Sequence, residues 1–243
     1  MHLLDLTLDL PTANLALDEA LLDEAEAAGD ARETLRLWEP AAPLVVIGRS
    51  SKPDAEVRLD FCREHQIPVL RRASGGAAIV TGPGCLMYAL VLSRESRPVL
   101  RSLDEAHRFV LETMARALNT VVPEIYRQGT SDLAMGRTQP KKFSGNSVRI
   151  KRHHILYHGT LLYNFQLDII ADCLALAPRQ PVYRAGRDHG AFVANLPIAA
   201  EALRDTVASR AWQTDTPRTN WPQARVHELV AGKYQTPEWT IEV

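Results

Sequence analysis

Apolar residues recur at helical spacing over residues 12–28. Leu15, Ala16, Ala20, Leu21 and Leu22 form a stripe there with acidic residues between them, which predicts an amphipathic helix. Two short apolar runs follow, Leu35-Arg36-Leu37-Trp38 and Leu44-Val45-Val46-Ile47-Gly48, separated by Pro40 and Pro43. Runs of that length between prolines predict strands. A helix is expected near 57–66, then a strand over 68–71, a glycine pair, a strand through 77–80, a Gly-Pro-Gly turn at 82–84 and an apolar strand over 86–92. Ser102-Leu103-Asp104-Glu105 has the form of a capping box. The helix it opens runs to about Asn119, with Leu103, Ala106, Val110, Met114 and Leu118 on one face. Strands are predicted at 131–136, 141–149 and 154–164, and helices at 167–175, 199–211 and 223–233.

Turn signals this dense favour a mixed or antiparallel sheet over a βαβ series. The expected fold is therefore α+β, a mixed, largely antiparallel β-sheet flanked by helices. A length of 243 residues suits one domain, with 199–243 as its helical C-terminal end. The stretch 214–222 reads as a loop inside that domain, because too little chain follows it to form another.

A net charge of −1 gives no global field to draw the chain to nucleic acid or an anionic membrane, so neither is an expected partner. Electrostatics must then act locally, at Arg71-Arg72, Lys141-Lys142 and Lys151-Arg152. No apolar run approaches the roughly 20 residues that span a bilayer, and the N-terminus lacks the pattern of a signal peptide. Cys62, Cys85 and Cys173 are too scattered for a disulfide framework or a zinc ribbon, so a reducing cytoplasm is the expected setting.

The candidate chemistry lies in two segments. Arg71-Arg72-Ala73-Ser74-Gly75-Gly76-Ala77-Ala78 sits between two strand-like runs. No helix follows its glycines, which excludes a P-loop or a dinucleotide fingerprint. Two readings stay open: an anion cradle made of the backbone N–H groups of residues 74–77 with one arginine, or a hairpin with solvated arginines. The second segment, Lys142-Phe143-Ser144-Gly145-Asn146, opens a strand. Lysine is a mobile point charge able to follow a carboxylate as it becomes a mixed anhydride, although a lysine beside Lys141 is also an ordinary surface residue. Gly145 weakens a strand interior unless something approaches it closely. His158 beside Gly159 reads first as a satisfied core histidine. His154 shares its face, but with no third ligand nearby zinc is not expected.

These segments, in this order along nearly the whole chain, resemble the lipoate–protein ligase A family within the wider group of biotin and lipoate ligases and octanoyltransferases. Asn14-Leu15-Ala16-Leu17-Asp18-Glu19-Ala20 is similar to the family's first helix, and Trp38 with Ile47-Gly48-Arg49 to its early hairpin. The arginine–glycine loop, Ser131-Asp132-Leu133, the lysine segment, His158-Gly159-Thr160-Leu161-Leu162 and Lys233-Tyr234 with Glu238-Trp239 match further motifs. The resemblance implies a class II biotin/lipoate ligase-like domain. It also implies a reaction in which ATP and lipoate form lipoyl-adenylate, which then acylates a lysine of an acceptor. In that account Lys142 is the catalytic group, at the acyl carbonyl and phosphate. Arg72 with Ser74, Gly75, Gly76, Ala77 and Ala78 seats the acyl-adenylate. Gly145, Asn146 and His158 complete the site, adenine lies near Gly159, Thr160 and Leu161, and Asp132 holds Mg2+. The implied acceptors are apo lipoyl domains of 2-oxoacid dehydrogenases or the glycine-cleavage H protein, with a separate accessory subunit as a further implied partner. The dithiolane tail needs an apolar slot, expected on one face of the strand 86–92.

The chain departs from the family pattern at several points. Ala77 replaces the loop's third glycine, Thr81-Gly82 a His-Asp pair and Ser131 an asparagine. The sequence stops soon after Trp239, without the accessory domain of the longer ligases. Gly82-Pro83-Gly84 instead resembles a turn of octanoyltransferases, which move an acyl group from a carrier protein without ATP and pair a lysine with a cysteine nucleophile. At the position of one such cysteine stands Ile155, the loop at Ser131 has none, and Cys85 is the nearest thiol to a motif. No Gly-Arg-Gly-Arg run suggests biotin ligation, and the presence of Lys142 argues against a dead scaffold. Tyr183-Arg184 and Arg187-Asp188-His189 concentrate polar chemistry, with the acceptor as a candidate contact, and the sequence fixes no role for them.

Overall fold

Residues 1–29, 31–176 and 180–239 are described by the computed structural model. In chain order the elements are β1 (His2–Asp5), α1 (Pro11–Ala28), β2 (Thr34–Trp38), β3 (Leu44–Ile47), α2 (Pro53–Glu56), α3 (Leu59–Glu64), β4 (Val69–Arg71), β5 (Ile79–Thr81) and β6 (Cys85–Ser93). They continue with α4 (Leu103–Leu118), β7 (Ile125–Gln128), β8 (Asp132–Met135), β9 (Lys141–Ile150), β10 (His154–Leu162), α5 (Asp168–Cys173), α6 (His189–Phe192), α7 (Ala200–Asp205), β11 (Thr216–Pro217) and α8 (Gln223–Leu229). The main sheet runs β11-β1-β2-β6-β10-β9-β8-β7, and a smaller one runs β4-β3-β5. β1 pairs in parallel with β2 and with β11, β3 pairs in parallel with β4, and the remaining pairings are antiparallel. The fold is thus α+β with a mixed, largely antiparallel sheet.

Every residue of β6 and of β10 is buried, as continuous apolar runs at the centre of a covered sheet require. The Ser102 hydroxyl accepts from the Glu105 N–H at 3.5 Å, so α4 starts where the capping box places it. Glu105 itself pairs with Arg108 rather than reaching back to complete the box.

Some elements differ from expectation for local reasons. The helix expected at 57–66 is two short helices, because Val57 leaves the helix with extended backbone and bridges to Leu174. β1 and β7 carry no alternation that announces a strand, and β11 is a two-residue edge within the predicted loop. The helices expected at 199–211 and 223–233 begin as α7 and α8 and continue as wider π-type turns over Thr206–Ala211 and Val230–Tyr234. Residues 240–243 of the expected C-terminal end lie outside the described residues. Among the described residues, no helix is long and apolar enough to cross a membrane.

α1 buries three polar side chains along with its apolar stripe: Asn14, Asp18 and Glu19. Each is matched. The fully buried Arg36 guanidinium donates to the Leu6 and Asn14 carbonyls, to Asn14 Oδ1 and, at 2.7 Å, to Asp18 Oδ1. Glu19 accepts from Arg149, Lys233 and the Tyr234 hydroxyl, which ties the C-terminal helical segment to α1. A buried charge left without its partner is costly, whatever the net value of the intact pair. Arg36→Met is therefore expected to lower unfolding stability by about 3–5 kcal/mol, read by urea denaturation. A loss below about 1 kcal/mol would mean that the pair behaves as a surface one.

Candidate active site

Lys142 reaches the site through an irregularity in the sheet. Asp132 lies opposite Gly145 and Leu133 opposite Ser144, but Ala134 lies opposite Lys142, so Phe143 is the extra residue of a bulge. In a regular ladder Lys142 would share a face with Ser144 and point away from Asp132. The bulge turns it to the Asp132 face, and Lys142 Nζ meets Asp132 Oδ1 at 2.7 Å. The lysine side chain runs beneath Gly145, where a Cβ would stand 3.1 Å from Nζ. This is the close approach that a glycine inside a strand signals. Asp132 Oδ2 accepts from the Tyr183 hydroxyl at 2.8 Å. Burial and the adjacent carboxylate push the Tyr183 phenol upward, so it stays protonated as a donor.

The arginine–glycine loop is organised from within. Arg72 is buried and its guanidinium donates to the carbonyls of Val46, Gly75 and Ala77 and to Ser74 Oγ. Burial pushes its pKa down to about 10, with Glu56 acting in the opposite sense. Arg71 likewise donates to the carbonyls of Gly48, Arg49 and Ser51. Neither arginine reaches out as the expected contact for a phosphate; both shape the loop. Gly76 has φ of +91°, and the loop passes so close to Gly48 that a Cβ there would lie 2.0 Å from the Gly76 oxygen. Ala77 needs no such freedom, since its φ is not positive. The Ala78 N–H already holds an anion, Glu56 Oε2 at 2.6 Å.

His158 joins this loop to α1. Its Nε2 lies 2.6 Å from Ser74 Oγ and its Nδ1 3.2 Å from Asp18 Oδ2, the same carboxylate that pairs with Arg36. The order serine, histidine, aspartate has the form of a nucleophilic triad. Ser74 is 1% exposed, however, and also receives Arg72 Nε, so the chain fixes the loop and presents no nucleophile. His158 is the satisfied histidine its sequence context suggested. Asp18 and Arg36 complete the arrangement and were not among the residues picked out from sequence. The available signal was an arginine set between leucines in a buried strand.

The remaining expected residues divide by position. Asn146 Oδ1 accepts from Tyr88, and Nδ2 donates to the Ser131 carbonyl and Ser144 Oγ. Ser131 therefore contributes backbone, and its side chain is not what Asn146 reads. Thr160 Oγ1 accepts from the Gly145 N–H. Leu161 is fully buried, and Gly159 is covered by Asn146, whose Oδ1 would stand 1.9 Å from an added Cβ. Both positions are buried within the central strand.

A cavity of about 140 Å³ opens between β5, β9, β10, α5 and α6. Its apolar wall includes Ile79, Val80, Phe143, Leu162, Ile170 and Phe192, and Glu56, Lys142, Arg184 and His189 supply its polar groups. The strand 86–92, expected to supply an apolar slot, lies within β6, which is buried throughout and lines no part of this cavity. The volume is below the usual range for drug-sized ligands and suits a slender chain, not a nucleotide beside it. All three cysteines are buried. Burial pushes the Cys85 thiol up to about 12, which removes the thiolate a transferase would use. Among the described residues no cluster of three metal-ligating side chains occurs, and both oxygens of Asp132 are engaged by Lys142 and Tyr183.

The sequence profile of the lipoyl protein ligase A/B catalytic domain matches residues 10–207. The chain belongs to that family. Among its relatives, a Mycoplasma pneumoniae protein described as a probable lipoate-protein ligase A is 30% identical over 68% of the chain and 46% of its own length. A Schizosaccharomyces pombe relative is covered over 41% of its length, so the chain spans less than half of these two proteins. Lipoate–protein ligase 1 of Staphylococcus aureus is 24% identical over 94% of the chain and 69% of its own length. The octanoyltransferase LipM of Oceanobacillus iheyensis is 28% identical over 65% of the chain and 62% of its own length. The family is thus one of enzymes, ligases and acyltransferases both. A solved lipoate-protein ligase A bound with ATP superposes with a TM-score of 0.81 at 24% identity, covering 98% of this chain and 97% of that one. A Thermoplasma acidophilum protein with bound lipoic acid gives 0.81 at 22% identity over 99% of both chains. Both likenesses establish the fold.

Gly159→Ala drives a methyl group into Asn146 and is expected to cost about 1–3 kcal/mol, measured by thermal denaturation. An unchanged melting temperature would show that Asn146 can move aside without loss.

Proposed function

We propose that the chain is a lipoate–protein ligase, which activates lipoate with ATP to lipoyl-adenylate and transfers the lipoyl group to the ε-amine of a lysine on a lipoyl domain. The observation that carries this reading is Lys142 at the polar end of an apolar cavity from which every thiol is withdrawn. Activation joins a carboxylate oxygen to the α-phosphorus of ATP and releases pyrophosphate. Transfer joins the acceptor nitrogen to the carbonyl carbon and releases AMP. Both steps place negative charge beside the carbonyl, where a fixed ammonium stabilises it more in the transition state than in the ground state. Asp132 holds Lys142 in its bulged position, and the apolar wall keeps water from the activated carbonyl. Asp132, the carboxylate expected to hold magnesium, has both oxygens engaged by Lys142 and the Tyr183 hydroxyl, so the residues as placed do not fit the ion and no step is derived through it. The narrow cavity leaves the nucleotide outside it, over the glycine loop.

The structures with ATP and with lipoic acid support these two substrates. A bipartite archaeal ligase solved with its E2 lipoyl domain, similar in fold at a TM-score of 0.80, supports a lipoyl-domain acceptor, as in 2-oxoacid dehydrogenases, and a separate accessory subunit. The H protein as an alternative acceptor, and a cytoplasmic location, follow from the same reading. Octanoyl transfer from a carrier protein is the second reading, favoured by the similarity to LipM. It requires a nucleophile other than Cys85.

Mass spectrometry of an apo lipoyl domain separates the two. Lipoate, ATP and magnesium are expected to add one lipoyl group, and Lys142→Ala to cut the rate at least 100-fold. Iodoacetamide treatment of the enzyme should leave that rate unchanged. Modification by octanoyl-acyl carrier protein without nucleotide, and none with ATP, would establish the transferase instead.

A further inference from the structure

The segment carrying Tyr183, Arg184, Arg187 and His189 is strapped over the cavity. Arg187 donates to the carbonyls of Pro140, Tyr183 and Arg184, and the Ala194 N–H donates to the Lys142 carbonyl. Asp188 caps α6 by accepting from the Ala191 N–H. These groups hold structure. Arg184 is different: it is 5% exposed, it lines the cavity, and one terminal guanidinium nitrogen has no hydrogen-bond partner. Its Nε donates to the Arg187 carbonyl and its plane lies 4.8 Å from the Phe192 ring centre, so the side chain is fixed while that nitrogen stays free. Beside it, His189 also lines the cavity; its ring bonds to the Ala175 backbone and burial and Arg184 lower its pKa, so its buried, unpartnered Nε2 is an acceptor and offers no donor to an anion.

Buried donors without acceptors are rare, and buried cations without a counter-charge are rarer. Among the described residues no ion pair is formed by Arg184, and Asp188 acts on it only through space, against the lowering effect of burial. The other charged groups of the cavity are matched: Lys142 with Asp132, and Glu56 with the Ala78 N–H. Lys142 thus already pairs with an anion, whereas Arg184 has a terminal nitrogen that pairs with none.

We infer that Arg184 is the receptor for the carboxylate of the free acyl acid, seating it before activation. This rests on reading the cavity as the acyl site. Tyr183, the preceding residue, donates to the Asp132 carboxylate that holds Lys142, and Arg184 and Lys142 line the same cavity. A guanidinium gives a carboxylate two parallel donors, whereas a neutral thioester or amide gains less from its charge. Arg184 thereby selects for a donor that enters as a free acid.

Isothermal titration of octanoate, lipoate and octanamide into the wild-type chain, Arg184→Gln and Arg184→Lys provides the test. Wild-type protein is expected to bind both acids at least 10-fold more tightly than the amide. Arg184→Gln should lower acid affinity about 10-fold or more and leave the amide unchanged, and Arg184→Lys should restore part of the preference. A purely structural role would weaken acid and amide alike. An unchanged acid-to-amide ratio in Arg184→Gln overturns the proposal, as does equal binding of acid and amide by the wild type, and either result leaves the acyl site standing. Binding of none of the three ligands by wild-type protein overturns the acyl-site reading and the proposal with it. If Arg184→Gln does not fold, the wild-type ratio and the Arg184→Lys titration decide.

Discussion

The fold depends on one buried chain of charge and hydrogen bonds, Arg36 to Asp18 to His158 to Ser74. It crosses four separate parts of the sequence: β2, α1, β10 and the arginine–glycine loop. Hydrophobic burial is non-directional and would accept α1 in many rotations about its axis. A fully buried guanidinium accepts only those in which its donors find acceptors. Asn14 and Asp18, one turn apart, supply them and so set the rotation of α1. His158 then carries that constraint to the loop. The next residue, Glu19, does the same on the C-terminal side through Lys233, Tyr234 and Arg149. Trp239 continues the line, donating to the Arg71 carbonyl. The glycine loop is therefore gripped from two sides by groups that never meet a ligand.

The rest of the site follows from the division between cations that build and cations that bind. Arg71, Arg72 and Arg187 direct their donors at backbone carbonyls, and their charge serves to fold loops whose own carbonyls have no strand partners. This explains how a chain of nearly zero net charge can be dense in arginine around its site without a general pull on anions. Lys142, paired with Asp132, and Arg184 are the cations that line the cavity, and in the proposed reading they are the charges that act on a substrate.

Much of this was legible in the residues. Gly145 inside a strand pointed to a close approach, and the structure shows Lys142 itself making it. The buried strands β6 and β10 were readable as continuous apolar runs, and the start of α4 as a serine cap. What escaped was whatever depends on where a donor points. Sequence displays the charge of Arg72 and hides the carbonyls of Val46, Gly75 and Ala77 that its donors meet. It likewise shows the motif around Gly159 and hides Asn146, which packs over that glycine where there is no room for a Cβ. β1 and β7 escaped because four residues at a sheet's side hold too little alternation to show a period of two.

The bulge at Phe143 shows why Lys142 could be singled out in sequence while its geometry could not. Side chains alternate strictly along a strand, so one inserted residue reverses the face of everything beyond it. Without it Lys142 would point to the face of Ser144, away from Asp132, and Phe143 would lose its place in the apolar wall. One backbone irregularity thus sets the ammonium at the mouth of the cavity and the phenyl ring along its side. A sequence records only that Lys142 and Phe143 are neighbours; the sheet turns that adjacency into a charged end and an apolar end of a single ligand site.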